Sequence, residues 1–277
     1  MSALIFSLAV IFATVALTIG GMVVFRKLVS TDILKMDHDV TTALIAVLGT
    51  LYAIVLGLIV VDALSHREQA EIMESSEANA LATVMHLCHT LPVPQRRPIM
   101  QSELDYCEAA VDKEWNMMGT GTASERDTVT AFDSLWEEVA DYDPQTNRET
   151  NLHNSMLAAM TDFSNARRYR IVTCSHGLPA LLWFILIMGG ICTISFTYFF
   201  GAEKMKLQAI MTSIVSFMLC LNILVVFFYS SPYKGDMRIE PTALQRVRDL
   251  LRSTPMLRRA PAQRAPAQVA PATTPRE

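Results

Sequence analysis

The segment DVTTALIAVLGTLYAIVLGLIVV (39–61) runs directly into DALSHREQAEIMESSEANALATVMHLCHT (62–90). The first part carries no charge after Asp39, and the chain contains no proline before Pro92. A helix of about 50 residues is roughly 75 Å long, whereas the hydrocarbon core of a bilayer is only about 30 Å thick. We therefore predict one helix that crosses the membrane and continues unbroken into water past Val61 and Asp62.

Three further segments are long and apolar enough to cross a bilayer. They cover residues 3–25, 178–201 and 207–229, and with 40–61 they give four spans. The first of them lacks a positively charged start and a small-x-small cleavage site, so we interpret it as a retained span and not as a signal peptide. We predict two transmembrane hairpins, over residues 1–61 and 177–230.

Residues 62–176 form the predicted aqueous domain, and their pattern is helical throughout. The proline-rich LPVPQRRP (91–98) predicts a turn, and residues of the capping-box type, Ser124 with Asp127 and Thr146 with Glu149, predict two helix starts. The expected helices after the long one cover about 99–118, 124–141 and 146–176. Such helices pack most naturally as a four-helix bundle.

The last part of the chain changes in composition. We predict a short helix within residues 231–251, after the fourth span. Residues 252–277 are rich in Pro, Ala, Arg and Gln, and we predict that they form a disordered tail, because this composition cannot bury an apolar core. The predicted fold is thus an all-α membrane protein with four transmembrane helices and an inserted helical bundle continuous with the second span.

The charge distribution predicts the orientation. Basic residues near the span ends are more numerous on the side that carries both termini and the bundle, which favours a cytoplasmic bundle and cytoplasmic termini in a cell membrane. The five cysteines form no closely spaced pair, which is typical of a reducing compartment. The net charge of −4 does not indicate nucleic-acid binding.

Two groups of residues are candidates for function. Gly49, Ala53 and Gly57 share one face of the second span, and small residues at this spacing allow close helix contact in lipid. We favour packing of this stripe against the first span, with a subunit contact or a pore-facing stripe as the alternative. The second group is Arg167, Arg168 and Arg170, which either anchor the topology or form a vestibule that attracts anions.

Other chemistry finds little support. His86, Cys88 and His89 do not have the spacing of zinc ligands, and the chain contains no nucleophile elbow, P-loop or dinucleotide motif. We therefore predict no metal site, no cofactor and no enzymatic activity. No ionisable residue lies deep in a span, which argues against a proton-coupled carrier but not against a channel.

Several short strings in order resemble the bacterial bestrophin-like membrane proteins, a family of unknown function. They are HDV…LYAIVLGLIVV (38–61), EANAL (77–81), EW (114–115), RRYR (167–170), GLPALLW (177–183), FFG (199–201) and PYKG…IEP (232–241). The resemblance covers about residues 35–245. It implies a distant likeness to bestrophins, which are pentameric, calcium-gated anion channels, and hence an oligomer around a central pore. The chain after Tyr233 lacks an acidic cluster like the bestrophin calcium clasp.

Two functions follow from this sequence. The leading hypothesis is a bestrophin-like integral membrane protein that assembles as a homo-oligomeric ion channel with anion preference. The alternative is a non-conducting membrane scaffold or sensor whose helical domain binds a cytoplasmic protein. In both hypotheses the lipid bilayer is a partner of the chain.

Overall fold

The protein is described by a computed structural model over residues 2–29, 38–120, 126–175, 177–199 and 204–257. All regular elements within these ranges are helices, so the predicted all-α class is confirmed. They are α1 (Ser2–Leu28), α2 (His38–Cys88), α3 (Val93–Ala109), a π-helical segment (Ala110–Glu114), α4 (Trp115–Gly119), α5 (Arg126–Ala140), α6 (Asn147–Ser175), α7 (Ala180–Tyr198), α8 (Met205–Tyr229) and α9 (Thr242–Ser253).

The long second helix is confirmed. It contains 51 residues and passes from the apolar span into the bundle with no break at Val61. Among the residues that the structure describes, four helices are long and apolar enough to cross a membrane: α1, the first part of α2, α7 and α8. The continuity has a simple cause, because the chain between Gly57 and Pro92 contains no residue that interrupts a helix.

The prediction of a turn over the proline-rich LPVPQRRP (91–98) is wrong for most of that segment. Helix α3 begins at Val93 and includes Pro94 in its first turn, where the missing N–H costs no hydrogen bond. The amide of Arg96 already donates to Pro92 O at 3.0 Å. A π-helical segment then inserts a widened turn, and Glu114 at its end and Trp115 directly after it are both buried.

The predicted start of the last bundle helix is confirmed. The backbone N of Glu149 donates to Thr146 Oγ1 at 3.2 Å, while its carboxylate accepts from Gln145 N at 2.7 Å. The carboxylate thus reaches one residue further back than in the usual capping box. Ser124 of the other predicted box lies outside the described residues, and α5 begins at Arg126.

The spans pack differently from two simple hairpins. Helices α7 and α8 contact each other, but within the described residues α1 packs on α8 and α7, and α2 forms its interface with α7 and α8 instead of α1. Hydroxyls on α1 and α8 explain part of this choice, since buried Thr18 Oγ1 and Ser216 Oγ lie 3.0 Å apart. Such bonds have no water to compete with them in lipid.

The bundle contains the main hydrophobic core. Helix α2 pairs with α6, α3 pairs with α5, and the amphipathic α9 packs on α2 and α3 through Leu244, Val247 and Leu251. The carboxylate of Glu74 accepts from Ala243 N at 2.8 Å and from Leu244 N at 3.2 Å. A side chain of α2 therefore caps the first turn of α9. The predicted disordered tail starts too early, because α9 extends to Ser253 and Leu257 is buried in the core of the bundle. Residues from 258 onward lie outside the described residues.

Candidate functional site

The small-residue stripe of α2 lies on the open surface of the chain. A Cβ atom added at Gly49 or Gly57 would meet nothing within 4 Å, and Ala53 is exposed. The interpretation that this stripe packs against the first span is therefore wrong. The residues of α2 that do pack are on another face, where Tyr52 fills the space left by Gly189 and its hydroxyl donates to Leu186 O at 2.8 Å.

A second open face of α2 is apolar and follows a regular spacing. Its residues alternate at intervals of four and three, as in the seam of a helical oligomer. They are Val47, Leu51, Ile54, Leu58 and Val61, each more than half exposed. Together with the stripe, this leaves a broad apolar and small-residue surface on the span that no described part of the chain covers.

The three arginines do not form a vestibule as a group. Arg170 is fully buried and Arg167 is 8% exposed, because both lie on the face of α6 that packs against α2 and the π-helical segment. Only Arg168 points to the exterior. The expectation of an anion-attracting ring is wrong for Arg167 and Arg170, since their charges are already matched inside the bundle.

Arg170 is the centre of a buried charged cluster, which we call the charged core: Glu77, Tyr106, Glu114, Arg167 and Arg170. Arg170 Nε donates to Glu77 Oε2 at 2.6 Å, and Arg170 Nη2 donates to Glu77 Oε1 at 3.0 Å. The same Nη2 lies 3.3 Å from Glu114 Oε2, and Arg167 Nη2 donates to Glu114 Oε1 at 3.1 Å. Tyr106 Oη donates to Glu77 Oε1 at 2.5 Å.

Burial and pairing oppose each other in this cluster. Burial acts against the charged form of Arg170, yet Glu77, Tyr106 and Glu114 raise its pKa well above the ordinary value, so the guanidinium stays charged. Burial also raises the pKa of Glu114, against the opposing effect of Arg170 and Arg167. Fixed geometry and bidentate pairing are what make such a buried cluster tolerable.

The charged core is linked to the chain that leaves the membrane. Arg170 stacks over the ring of Trp115 with its Cζ 4.9 Å from the ring centroid. Trp115 Nε1 donates to Ile239 O at 2.8 Å, and its ring meets that of Tyr233 edge to face. The segment after α8 is thus fixed to the same residues that hold α2 and α6 together.

Sequence reasoning missed this convergence, although a signal for it was present. The strings that carry the family resemblance, EANAL, EW, RRYR and PYKG…IEP, supply Glu77, Glu114, Trp115 and Arg170 together with Tyr233 and Ile239. Each string is unremarkable alone. Their meeting depends on the packing of distant helices, which no local pattern in one sequence predicts.

A second buried carboxyl lies apart from the charged core. Glu103 of α3 is fully buried, and neither of its oxygens has a hydrogen-bond partner in the described part of the protein. Burial raises its pKa well above the ordinary value, which favours the neutral acid over the carboxylate. Burial also raises the pKa values of the neighbouring thiols of Cys88 and Cys107.

The geometry does not support a metal site at His86, Cys88 and His89. His86 and His89 are exposed, whereas Cys88 is buried. In the described ranges no group of three or more His, Cys, Asp or Glu side chains is placed to hold a metal ion.

Comparison with known proteins supports one family. The model of the bestrophin-like domain matches residues 12–244. No curated protein matches the chain. Three crystal structures of a bacterial bestrophin homologue from Klebsiella pneumoniae, two of them mutants, are similar in fold at 12% sequence identity. Their TM-scores are 0.67, 0.65 and 0.65, with 87%, 88% and 87% of this chain covered and 97%, 98% and 97% of theirs.

The family model covers most of the chain, and the shared fold extends over nearly the whole length of the Klebsiella pneumoniae homologue. The resemblance noted in the sequence is thereby confirmed. With four helices of membrane-spanning length and composition, this multi-pass membrane protein belongs to the bestrophin-like family.

Proposed function

We propose that the protein is a homo-oligomeric ion channel in which α2 of each subunit faces a central pore. The observation that carries this proposal is the uncovered surface of α2, formed by the Gly49, Ala53 and Gly57 stripe and the neighbouring apolar residues. A membrane helix with small residues on an open face suits either a subunit contact or a narrow pore wall. A ring of subunits provides both at once.

The proposed preference for anions rests on two considerations. The family resemblance implies an anion channel, and α2 carries no acidic residue between Val40 and Val61 that would form a cation-selecting ring. An apolar pore wall of this kind conducts when it is wetted and closes when it dewets. We do not assign selectivity to Arg167 or Arg170, because both are engaged in the charged core.

We further propose that the channel lies in the bacterial inner membrane with the bundle and both termini in the cytoplasm. The excess of basic residues near the span ends on that side supports this orientation. In this arrangement residues 1–61 and 177–230 form the membrane part, 62–176 the cytoplasmic bundle, and 231–251 a segment that joins the two. A cytoplasmic protein partner for the bundle belongs to the alternative hypothesis of a scaffold or sensor, and we propose no enzymatic activity in either case.

The test compares two glycines in purified protein reconstituted into liposomes. Gly57→Leu adds a large side chain to the open stripe and should lower chloride flux, because it narrows the constriction. Gly20→Leu is the matched control, because Gly20 is also an exposed span glycine with nothing within 4 Å of an added Cβ. Since Gly20 lies on α1, this variant should conduct like the wild type.

The oligomeric state is measured on the same preparation. The size of the detergent-solubilised protein should correspond to several copies of the 30.8 kDa chain. A monomer that passes no ion would contradict the channel proposal and leave the scaffold hypothesis. Equal loss of flux in both glycine variants would contradict the assignment of the pore to α2.

A further inference from the structure

A pocket of about 560 Å³ opens where the membrane helices α7 and α8 meet the aqueous part of the protein. Its wall includes Leu178 just before α7, Trp183 within α7, Phe227 near the end of α8, and Ser231 with Lys234 beyond it. These residues span the boundary between the apolar and polar parts of the chain. The pocket is separate from the open face of α2 proposed to line the pore.

The membrane-facing half of the pocket is aromatic and apolar. The rings of Trp183 and Phe227 are 6.4 Å apart in an edge-to-face arrangement, and Phe227 is 49% exposed. Aromatic side chains in this position are typical of the membrane–water interface, where the ring contacts acyl chains and the glycerol region of lipids. This half therefore fits the apolar part of an amphiphile.

The polar half of the pocket carries the positive charge of Lys234. Lys234 is exposed and forms no ion pair within the described ranges, while the nearby Asp236 accepts a hydrogen bond from Ala3 N at 3.0 Å. A turn holds Lys234 in place, since its N donates to Ser231 O at 3.1 Å and the following Gly235 has a φ of +75°. Only glycine adopts this conformation without strain.

We propose that this pocket binds an anionic phospholipid, with acyl chains along Trp183 and Phe227 and the headgroup phosphate at Lys234 and the hydroxyl of Ser231. The apolar wall and the cation are arranged in the order in which such a lipid presents its tail and its phosphate. Basic pockets beside membrane helices recognise anionic headgroups in this way. The inference does not depend on conduction, so its test is independent of the channel assay.

Tryptophan fluorescence provides the test. Trp115 and Trp136 lie in the aqueous bundle, so in the full-length purified protein quenching by brominated phospholipids reports on Trp183. In vesicles of brominated phosphatidylcholine, added unbrominated phosphatidylglycerol should displace the quencher. We expect its relative binding constant at Trp183 to exceed that of phosphatidylcholine by roughly fivefold, the effect of one lysine near a membrane surface.

Lysine variants and added phosphate complete the test. Lys234→Ala should bring the ratio to about one, Lys234→Arg should keep it, and Lys206→Ala should keep it because this exposed lysine lies at the opposite end of α8. A ratio of one in the wild type, or a preference that persists in Lys234→Ala, would overturn the proposal. Loss of the preference in inorganic phosphate, but not in chloride of equal ionic strength, would assign the site to free phosphate and overturn the lipid assignment.

Discussion

Arg170 is the residue on which the charged core depends. Arg170→Ala would leave the buried carboxylate of Glu77 without its bidentate partner, and breaking such a pair costs about 3–5 kcal/mol of stability. We expect a large fall in the apparent Tm of the detergent-solubilised protein. Arg168→Ala is the matched control: this exposed neighbour on the same helix should change stability by less than about 0.5 kcal/mol. Equal effects of the two variants would show that the charged core does not stabilise the bundle.

Buried Glu103 should make the stability of the folded protein depend on pH. Its pKa is raised in the folded protein, so the folded state keeps a proton that the unfolded chain releases above about pH 4.3. Its presence therefore lowers stability progressively as the pH rises from that value towards the raised folded pKa. Glu103→Gln, which stays neutral, should raise the apparent Tm at pH 7.5 and have little effect near pH 4.

The matched control for this prediction is Glu137→Gln, a change at an exposed carboxylate of α5. It should leave the apparent Tm nearly unchanged at both pH values. A Glu103→Gln variant whose effect is the same at pH 4 and pH 7.5 would contradict the assignment of a neutral, unpartnered acid.

Among the elements, α2 and α7 meet through a close fit of Tyr52 against Gly189. A Cβ at residue 189 would lie 2.3 Å from two ring atoms of Tyr52, so Gly189→Ala must displace the ring and weaken this interface. Overpacking of this kind costs about 1–3 kcal/mol. Gly20→Ala, with nothing within 4 Å of its Cβ, is the control in the same thermal unfolding measurement. Tm values that do not differ between the two variants would contradict the observed packing.

The sequence predicts the helices themselves better than it predicts how they pack. Continuity of α2 and the four spans follow from composition and the absence of helix breakers, and the capping residues Thr146 and Glu149 mark a true helix start. The turn predicted around Pro94 is wrong, because in a sequence a proline in the first turn of a helix cannot be distinguished from a proline in a loop. The widened turn at Ala110–Glu114 leaves no local signal in the sequence.

The candidate site was harder to predict than the fold. The stripe on α2 was visible in the sequence, but whether it is covered depends on which spans pack together, and α2 packs on α7 and α8. The three arginines were visible as a cluster, but the burial of Arg167 and Arg170 depends on Glu77 and Glu114, which are 93 and 56 residues away from Arg170 in the chain. Partners at such separations cannot be inferred from local spacing alone.

At the scale of the whole molecule, the proposed orientation predicts the accessibility of two surfaces. In a cysteine-free background, a single cysteine at Glu149, in the first turn of α6, should resist a membrane-impermeant thiol reagent in intact cells and react after permeabilisation. A cysteine at Asp32, between the first two spans, should react in intact cells. The reverse pattern would place the bundle outside the cell and contradict the proposed cytoplasmic location.

The long α2 and the contacts of Trp115 connect the membrane part to the bundle. Trp115 contacts both Arg170 and the segment after α8, and the long α2 runs through both parts without a break. The proposal that α2 lines an ion-conducting pore is open to direct measurement.

Current through purified wild-type protein in a planar bilayer, recorded under a potassium chloride gradient, tests this claim most directly. We predict discrete currents whose reversal potential lies near the equilibrium potential of chloride, since the open face of α2 carries no acidic residue that would select cations. The absence of current from a preparation of verified oligomers would contradict the channel proposal, and a reversal potential near that of potassium would contradict its anion preference.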